Sequence, residues 1–264
     1  MDLRKHYSTV VLSDIHIGSE YSKIKEVTRF LKHVNCERLI LNGDIIDGWQ
    51  LQKSSKHWKA EHTNFFKVLM KMMEHCGTQI IYIRGNHDDF LDKLMPFTLS
   101  NISIVPDYTF VSAGKRYYAT HGDIFDTVTS HMRWLAMLGD IGYSLLLRLN
   151  KSYNMYRAWR GKPYYSLSQK VKHRVKSAVS YISDFRNELV LFAKRKKCDG
   201  IICGHIHQSA NEYYEGIHYL NSGDWVESLT ALVEDEQGNW SVVTYTEEAF
   251  GENLSGETLM EAAI

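Results

Sequence analysis

Five short clusters combine side chains that bind metal ions: Asp14-Ile15-His16, Gly43-Asp44 with Asp47 close behind, Gly85-Asn86-His87-Asp88, His121-Gly122-Asp123, and Cys203-Gly204-His205-Ile206-His207. In an extended segment side chains two apart point the same way, so Asp14 and His16 are expected to face one ion together, as are His205 and His207. Asp44 has two carboxylate oxygens and can bridge two ions; Asn86 offers an amide oxygen and His121 a ring nitrogen. Imidazole with carboxylate suits Mn, Fe, Zn or Ni better than Ca, which prefers oxygen. Two such ions roughly 3.5–4 Å apart can clamp a phosphoryl group and activate water for in-line attack at neutral pH. A single D-x-H or G-D means little, and Gly-Asn also makes ordinary turns. The metal reading comes from all five occurring together in this order.

Each cluster follows an apolar or β-branched run: Thr9–Leu12, Leu39–Leu41, Ile80–Ile83, Tyr117–Ala119 and Gly200–Ile202. Strands that stop on such residues place ligands at the sheet's end, where sites of sheet-and-helix folds lie. The apolar spacing over Lys23–Val34 predicts an amphipathic helix, and Trp58–Cys76 a second one stopped by Gly77. Strand and helix alternate up to Ile83, which means a parallel sheet with right-handed crossovers. Short strands over Ile102–Val105, Thr109–Val111 and Arg116–Ala119 then break the alternation. From Ile124 to about Lys197 the pattern is helical and basic, with aromatics at Tyr153, Tyr156, Trp159, Tyr164 and Tyr165. We expect this stretch, residues 124–197, to be a helical cap inserted into a domain spanning 1–250. Strands return over Gly200–Cys203, Gly216–Leu220, Ser228–Val233 and Trp240–Tyr245, and residues 251–264 read as a mobile tail.

The chain has 264 residues, 44% of them hydrophobic, enough to build a sizeable core. No apolar run approaches the ~20 residues that cross a bilayer. Met1–His6 leads straight into a strand without the apolar core of a signal peptide. Cys36, Cys76, Cys198 and Cys203 form no CxxC pair, the pattern of buried free thiols in a reducing compartment. A cytoplasmic location is therefore expected. Net charge is zero, yet between His131 and Cys198 fifteen Lys and Arg meet only Asp140, Asp184 and Glu188. That stretch carries about +12 and the remainder about −12, which points to a polyanionic partner: a phosphorylated substrate, an anionic membrane or nucleic acid.

D-x-H, GD-x-x-D, GNHD, HGD and GHxH together resemble the calcineurin-like metallophosphoesterase superfamily across nearly the whole chain. The resemblance implies an α/β fold, a four-layer α-β-β-α sandwich with an inserted helical cap. It also implies two divalent ions, Mn foremost, with Fe, Zn or Ni as alternatives. By the same resemblance Asp14, His16, Asp44 and His207 would hold one ion, and Asp44, Asn86, His121 and His205 the other. His87 would stand beside the scissile phosphate as general acid or phosphate contact, with Asp47 orienting its ring. Asp88 would be structural, and Asp123 would support the ligands from behind. Protein Ser/Thr phosphatases carry Arg directly after the second Asp of GDxxD. Gly48 stands there, which argues against that activity.

A closer resemblance comes from Asn150–Tyr156, Trp159-Arg160-Gly161, Lys172–Lys176 and Asn221–Ser228. These are similar to the UDP-2,3-diacylglucosamine pyrophosphatase-like group, whose best-known members release UMP and an acylated sugar 1-phosphate during lipid A synthesis. Those members carry Arg after the Gly-Asn, where this chain has His87. The resemblance implies a nucleotide-sugar lipid as substrate and peripheral contact with the inner membrane. Trp134, Leu135, Leu138 and Leu145–Leu149 would accommodate acyl chains, and Arg157, Arg160, Lys162 and Lys172 would meet phosphate or anionic headgroups. The same leucines could instead only pack on the sandwich, and the aromatic–cation mixture could stack bases, nucleic acid being the weaker expectation. A phosphodiesterase or nuclease on another substrate, and a non-catalytic binding protein keeping the fold, are the alternative functions.

Overall fold

The structure, a computed structural model, describes residues 4–53, 58–128, 160 and 167–250. β1 (Lys5–Leu12), α1 (Ile24–Lys32), β2 (Val34–Asn42), α2 (Gly48–Lys53), α3 (Ala60–Cys76) and β3 (Gln79–Ile83) form the first half. β1, β2 and β3 pair in parallel. The period of two decides what each strand residue buries against. Val10, Leu12, Leu39, Leu41, Ile80 and Tyr82 face the helices and pack with Phe30, Leu31, Phe65 and Met72. Val11, Ile40, Ile81 and Ile83 face the opposite way, into a second core shared with Phe110, Tyr117, Ile202 and Leu220 of another sheet. Burial on both faces is why these strands read as continuous apolar runs rather than alternations.

The chain continues through β4 (Phe97–Leu99), β5 (Ile102–Val105), β6 (Tyr108–Ser112), β7 (Lys115–Ala119), α4 (Leu167–Arg195), β8 (Gly200–Cys203), β9 (Ala210–Tyr214), β10 (Ile217–Asn221), β11 (Thr230–Glu234), β12 (Trp240–Thr244) and α5 (Glu247–Phe250). Among the described residues one sheet has the order β12-β11-β1-β2-β3-β5-β4 and the other β6-β7-β8-β10-β9. The last turns of α4 cover the second sheet's outer face, with Phe192 against Tyr118 at 5.2 Å between ring centroids and Ala193 buried. Helix, sheet, sheet, helix is the expected sandwich. β1, β2 and β3 end on the same edge of their sheet, and β7 and β8, parallel to each other, both end on site loops.

Two edge strands, β4 and β9, are not apparent in the sequence. Their exposed or half-exposed side chains leave no apolar pattern to read. The first helix ends at Lys32 and not Val34, because β2 begins there and pairs Val34 with Lys5. Two compact units emerge, one of the residues up to Asp123 and from Val190 onward, the other of Ile124–Leu189. The second holds most of a 3-10 turn over Asp123–Val128, an exposed Arg160 and α4 as far as Leu189. Lys172 lies on α4. Arg157, Lys162, Trp134, Leu135, Leu138, Leu145–Leu149, the aromatic loop apart from its Arg160, and the tail 251–264 lie outside the described residues. No helix among the described residues is long and apolar enough to cross a membrane. All four cysteines are free, and all but Cys76 are buried.

His218 on β10 illustrates how burial sets a titration. Its Nδ1 lies 3.2 Å from the Tyr117 hydroxyl, its Nε2 2.7 Å from Asn211 Oδ1, and Tyr213 stacks on its face. Burial, with Lys115 nearby, pushes its pKa down to about 4. The unfolded chain takes a proton near the ordinary value of about 6.5 that the folded ring refuses, so this contribution is full above that pH and drains as pH falls toward 4. His218→Gln is expected to narrow the gap between urea midpoints at pH 7 and pH 5; an unchanged gap would remove His218 from the acid response.

Candidate metal centre

The five clusters meet where the strands end. Asp14 and His16 follow β1, Asp44 follows β2, and His205 and His207 follow β8. All five have left-handed backbone, with φ of 53°, 52°, 52°, 70° and 55°. They are half of the ten non-glycine residues with positive φ among the described residues, so the strain is concentrated here. Each such residue costs about 1–3 kcal/mol unless its surroundings impose it, a pattern typical of functional sites. At Asp14 and His16 backbone hydrogen bonds impose it. The Asp14 N–H donates to Gly43 O at 3.1 Å, His16 N–H to Asp44 O at 2.9 Å and Ile17 N–H to Ile45 O at 2.8 Å. The strand pleat is therefore not what brings Asp14 and His16 together, as expected from their spacing; a hydrogen-bonded left-handed turn does so.

Each carboxylate divides its two oxygens. Asp14 Oδ2 accepts the His205 N–H at 3.0 Å, and Asp44 Oδ1 accepts the His87 N–H at 2.8 Å. Their other oxygens face imidazoles. Asp14 Oδ1 lies 3.3 Å from His207 Nε2 and 4.0 Å from His16 Nε2. Asp44 Oδ2 lies 3.4 Å from His121 Nε2, 3.9 Å from His16 Nε2 and 4.0 Å from His87 Nε2. Two expectations change here. Asp44 presents one oxygen, not two, to both sides of the centre. His205 and His207 separate, against the reading from their spacing and as the family resemblance implies, His207 joining Asp14 and His16, and His205 joining Asp44 and His121.

These groups fit divalent ions. In each, the donor atoms lie within 4.8 Å of one another. Nitrogen and oxygen ligands about 2.0–2.2 Å from a shared ion stand roughly 3–3.5 Å apart, close to the shorter separations seen. Asp14 Oδ1 is buried with His207 Nε2 3.3 Å away, and a buried carboxylate oxygen so sparsely partnered is costly unless a cation, imidazolium or metal, satisfies it. His121 Nδ1 lies 2.9 Å from Asn42 O, which aims Nε2 at Asp44. With protons as the only counter-charge, burial opposes the imidazolium of His121, but Asp44 outweighs it and raises the pKa to about 10. Asp14 does the same for His207, to about 9, while burial lowers that of His16. Burial alone would raise both carboxylates, yet His207 and His121 hold Asp14 and Asp44 below the ordinary range. A divalent cation can take the place of those protons.

The model of the calcineurin-like phosphoesterase family matches residues 7–209, a span holding all of these side chains. The chain belongs to that family. Calcineurin-like phosphoesterases are metal-dependent phosphoester hydrolases, and this centre has the matching donor set. Among curated proteins the chain is similar to the DNA polymerase II small subunit of Thermoplasma acidophilum, 22% identical over 255 residues, covering 85% of this chain and 47% of that one. It thus spans about half that relative's length. Similar solved structures include Vps29 of Entamoeba histolytica complexed with zinc (11% identity, 89% of this chain and 96% of that one, TM-score 0.41). An archaeal phosphodiesterase is similar at 14% identity, 89% and 98% coverage and a TM-score of 0.42.

In this calcineurin-like phosphoesterase, His87 forms a third close group with His16 and Asp44, its ligand atom within 4.8 Å of theirs. Its Nδ1 is 3.3 Å from Asp47 Oδ1, which also accepts the Gln50 N–H at 3.0 Å. Asn86 is half-buried on the same turn. Asp88 ties loops together: its carboxylate accepts from Ile46 N–H at 2.9 Å, Ile45 N–H at 3.2 Å and the Tyr82 hydroxyl at 2.8 Å. Asp123 pairs with Arg84 at 2.6 Å, and Arg84 also binds Asp92. The sequence does not disclose the roles of four contributors. Ser13 and Ser222 hydroxyls meet at 2.7 Å, and Asn221 Nδ2 donates to Gly204 O at 3.0 Å, so β10 anchors two site loops. Asn221 ends β10 and Ser222 follows it in a conspicuous polar run, but nothing in that run tells structural from ligating roles. Trp49 lies tilted against His87, with 4.2 Å between ring centroids and 35° between planes.

Proposed function

We propose that the chain is a dinuclear phosphoesterase acting on a diester or diphosphate. Asp14, His16, Asp44 and His207 hold one ion; Asp44, Asn86, His121 and His205 hold the other, Mn²⁺ foremost. Bound there, divalent ions would supply positive charge for a phosphoryl group and acidify water. The chain's own residues do the rest. His87, its Nδ1 3.3 Å from Asp47 Oδ1, carries Nε2 4.0 Å from Asp44 Oδ2 at the edge of the centre. As a water oxygen bonds to phosphorus and the ester P–O bond breaks, the leaving oxygen keeps the electron pair and takes the Nε2 proton. The single observation supporting this most is the pair of carboxylates, each spending one oxygen on a loop N–H and turning the other to imidazoles.

The substrate proposed is a UDP-linked acylated sugar such as UDP-2,3-diacylglucosamine, giving UMP and the acylated sugar 1-phosphate. Its support is the similarity of Asn150–Tyr156, Lys172–Lys176 and Asn221–Ser228 to that group, with Arg157, Arg160, Lys162 and Lys172 as its anion contacts. Contact with an anionic membrane at a cytoplasmic location belongs to this reading. A second reading, a polynucleotide phosphodiester, is favoured by the similarity to a DNA polymerase subunit over 85% of the chain.

Purified protein with Mn²⁺ would be offered UDP-2,3-diacylglucosamine, UDP-N-acetylglucosamine and single-stranded DNA. The expected result is cleavage of the acylated sugar far ahead of the others; equal cleavage of the non-acylated sugar removes the acyl preference, and cleavage of DNA alone favours the second reading. His87→Ala is expected to lower kcat by about 10²-fold or more on a substrate with a poor leaving group. Its metal content should stay at the wild-type level, and a parallel loss of metal would make His87 a ligand instead.

A further inference from the structure

His87 is held on more than its Asp47 side. α2 begins at Gly48, whose N–H donates to the His87 carbonyl at 3.1 Å and so fixes α2 against the Gly85–Asp88 turn. That bond carries the next residue, Trp49, over the imidazole, with ring centroids 4.2 Å apart and planes 35° from parallel. On another side His16 meets the same ring edge-on at 4.7 Å. Trp49 is 42% exposed, so core packing does not account for its position.

From this geometry we infer that Trp49 is a positioning residue for proton delivery: its indole holds the His87 ring so that Nε2 points at the leaving-group oxygen. The inference rests on His87 being the proton donor. Asp47 fixes one ring atom, which leaves rotation about χ1 and χ2 partly open, whereas a stacked face fixes the plane. A proton must be delivered only when the leaving oxygen is a strong base. Trp49 should therefore matter for alkyl esters and little for nitrophenyl esters, whose oxygen leaves as a stable anion.

The test uses full-length Mn²⁺-loaded protein, thymidine 5′-p-nitrophenyl phosphate and thymidine 5′-methyl phosphate. The readout is the ratio of kcat on the methyl ester to kcat on the nitrophenyl ester. His87→Ala is expected to lower that ratio about 100-fold and Trp49→Ala about tenfold, with KM and bound metal near wild type in both. Trp49→Phe, which keeps a stacking face, should restore most of the ratio. The double variant should be no worse than His87→Ala, because both changes act through one proton. A Trp49→Ala ratio equal to wild type, a change in KM alone, or multiplicative losses in the double variant would overturn the inference while leaving His87 as donor. An unchanged ratio in His87→Ala would instead remove the donor itself, and the inference with it.

Discussion

Asp44→Asn is expected to abolish turnover and, in the same protein, the stabilisation that divalent ions give. Asp44 Oδ2 is the one oxygen that faces His121, His16 and His87 together, so replacing the carboxylate weakens both halves of the centre. Several kcal/mol of transition-state stabilisation depend on bound metal, which at about 1.4 kcal/mol per tenfold means a loss of at least about a thousandfold. Stability gives a readout independent of activity. One site filled at a hundred times its dissociation constant adds about 2.7 kcal/mol to the folded state, so Mn²⁺ should raise the wild-type melting temperature and leave that of the variant nearly unmoved. Stripped of metal, the variant should still fold, because His121, deprived of its counter-charge, can release its proton rather than remain a buried unpaired cation. Retention of two ions per chain by Asp44→Asn would defeat the shared-oxygen geometry.

What the sequence discloses and what it hides follow from different physics. The metal donors are legible because few residue types offer lone pairs of the right hardness, and here they end runs that are buried on both faces. β1, β2 and β3 could be read for the same reason. The left-handed turns at Asp14, His16, His205 and His207 could not. Positive φ advertises itself through Gly or Asn, whereas these are imposed by hydrogen bonds such as His16 to the Asp44 carbonyl, between segments distant in sequence. The grouping of His207 with Asp14 rather than with His205 depends on the same turns, so the family resemblance implied it where spacing did not. Trp49 was invisible because an aromatic at the start of a helix resembles any core residue until the ring beneath it is seen. β4 and β9 escaped because edge strands need no apolar face.

Close packing behind the ligands produces the second large effect, and two glycines separate its components. Gly43 has φ +83°, and a Cβ there would lie 2.4 Å from the ring of His121. That ring is fully buried and held by Asn42 O at 2.9 Å, so it can yield only by losing the bond and swinging Nε2 away from Asp44. Gly77, which caps α3, has φ +66° with nothing within 4 Å of the added carbon. Gly77→Ala therefore isolates the backbone penalty, about 1 kcal/mol. Gly43→Ala adds the collision and the lost hydrogen bond, for a total on the order of 3 kcal/mol. Assayed well below either melting temperature, Gly77→Ala should turn over normally. Gly43→Ala should lose about a hundredfold, the usual consequence of moving a site group by roughly 1 Å. Urea midpoints and kcat for the two variants check both components. Equal destabilisation with full activity in Gly43→Ala would mean that the His121 ring does not rest on this glycine, and the placement of that ligand would have to be redrawn.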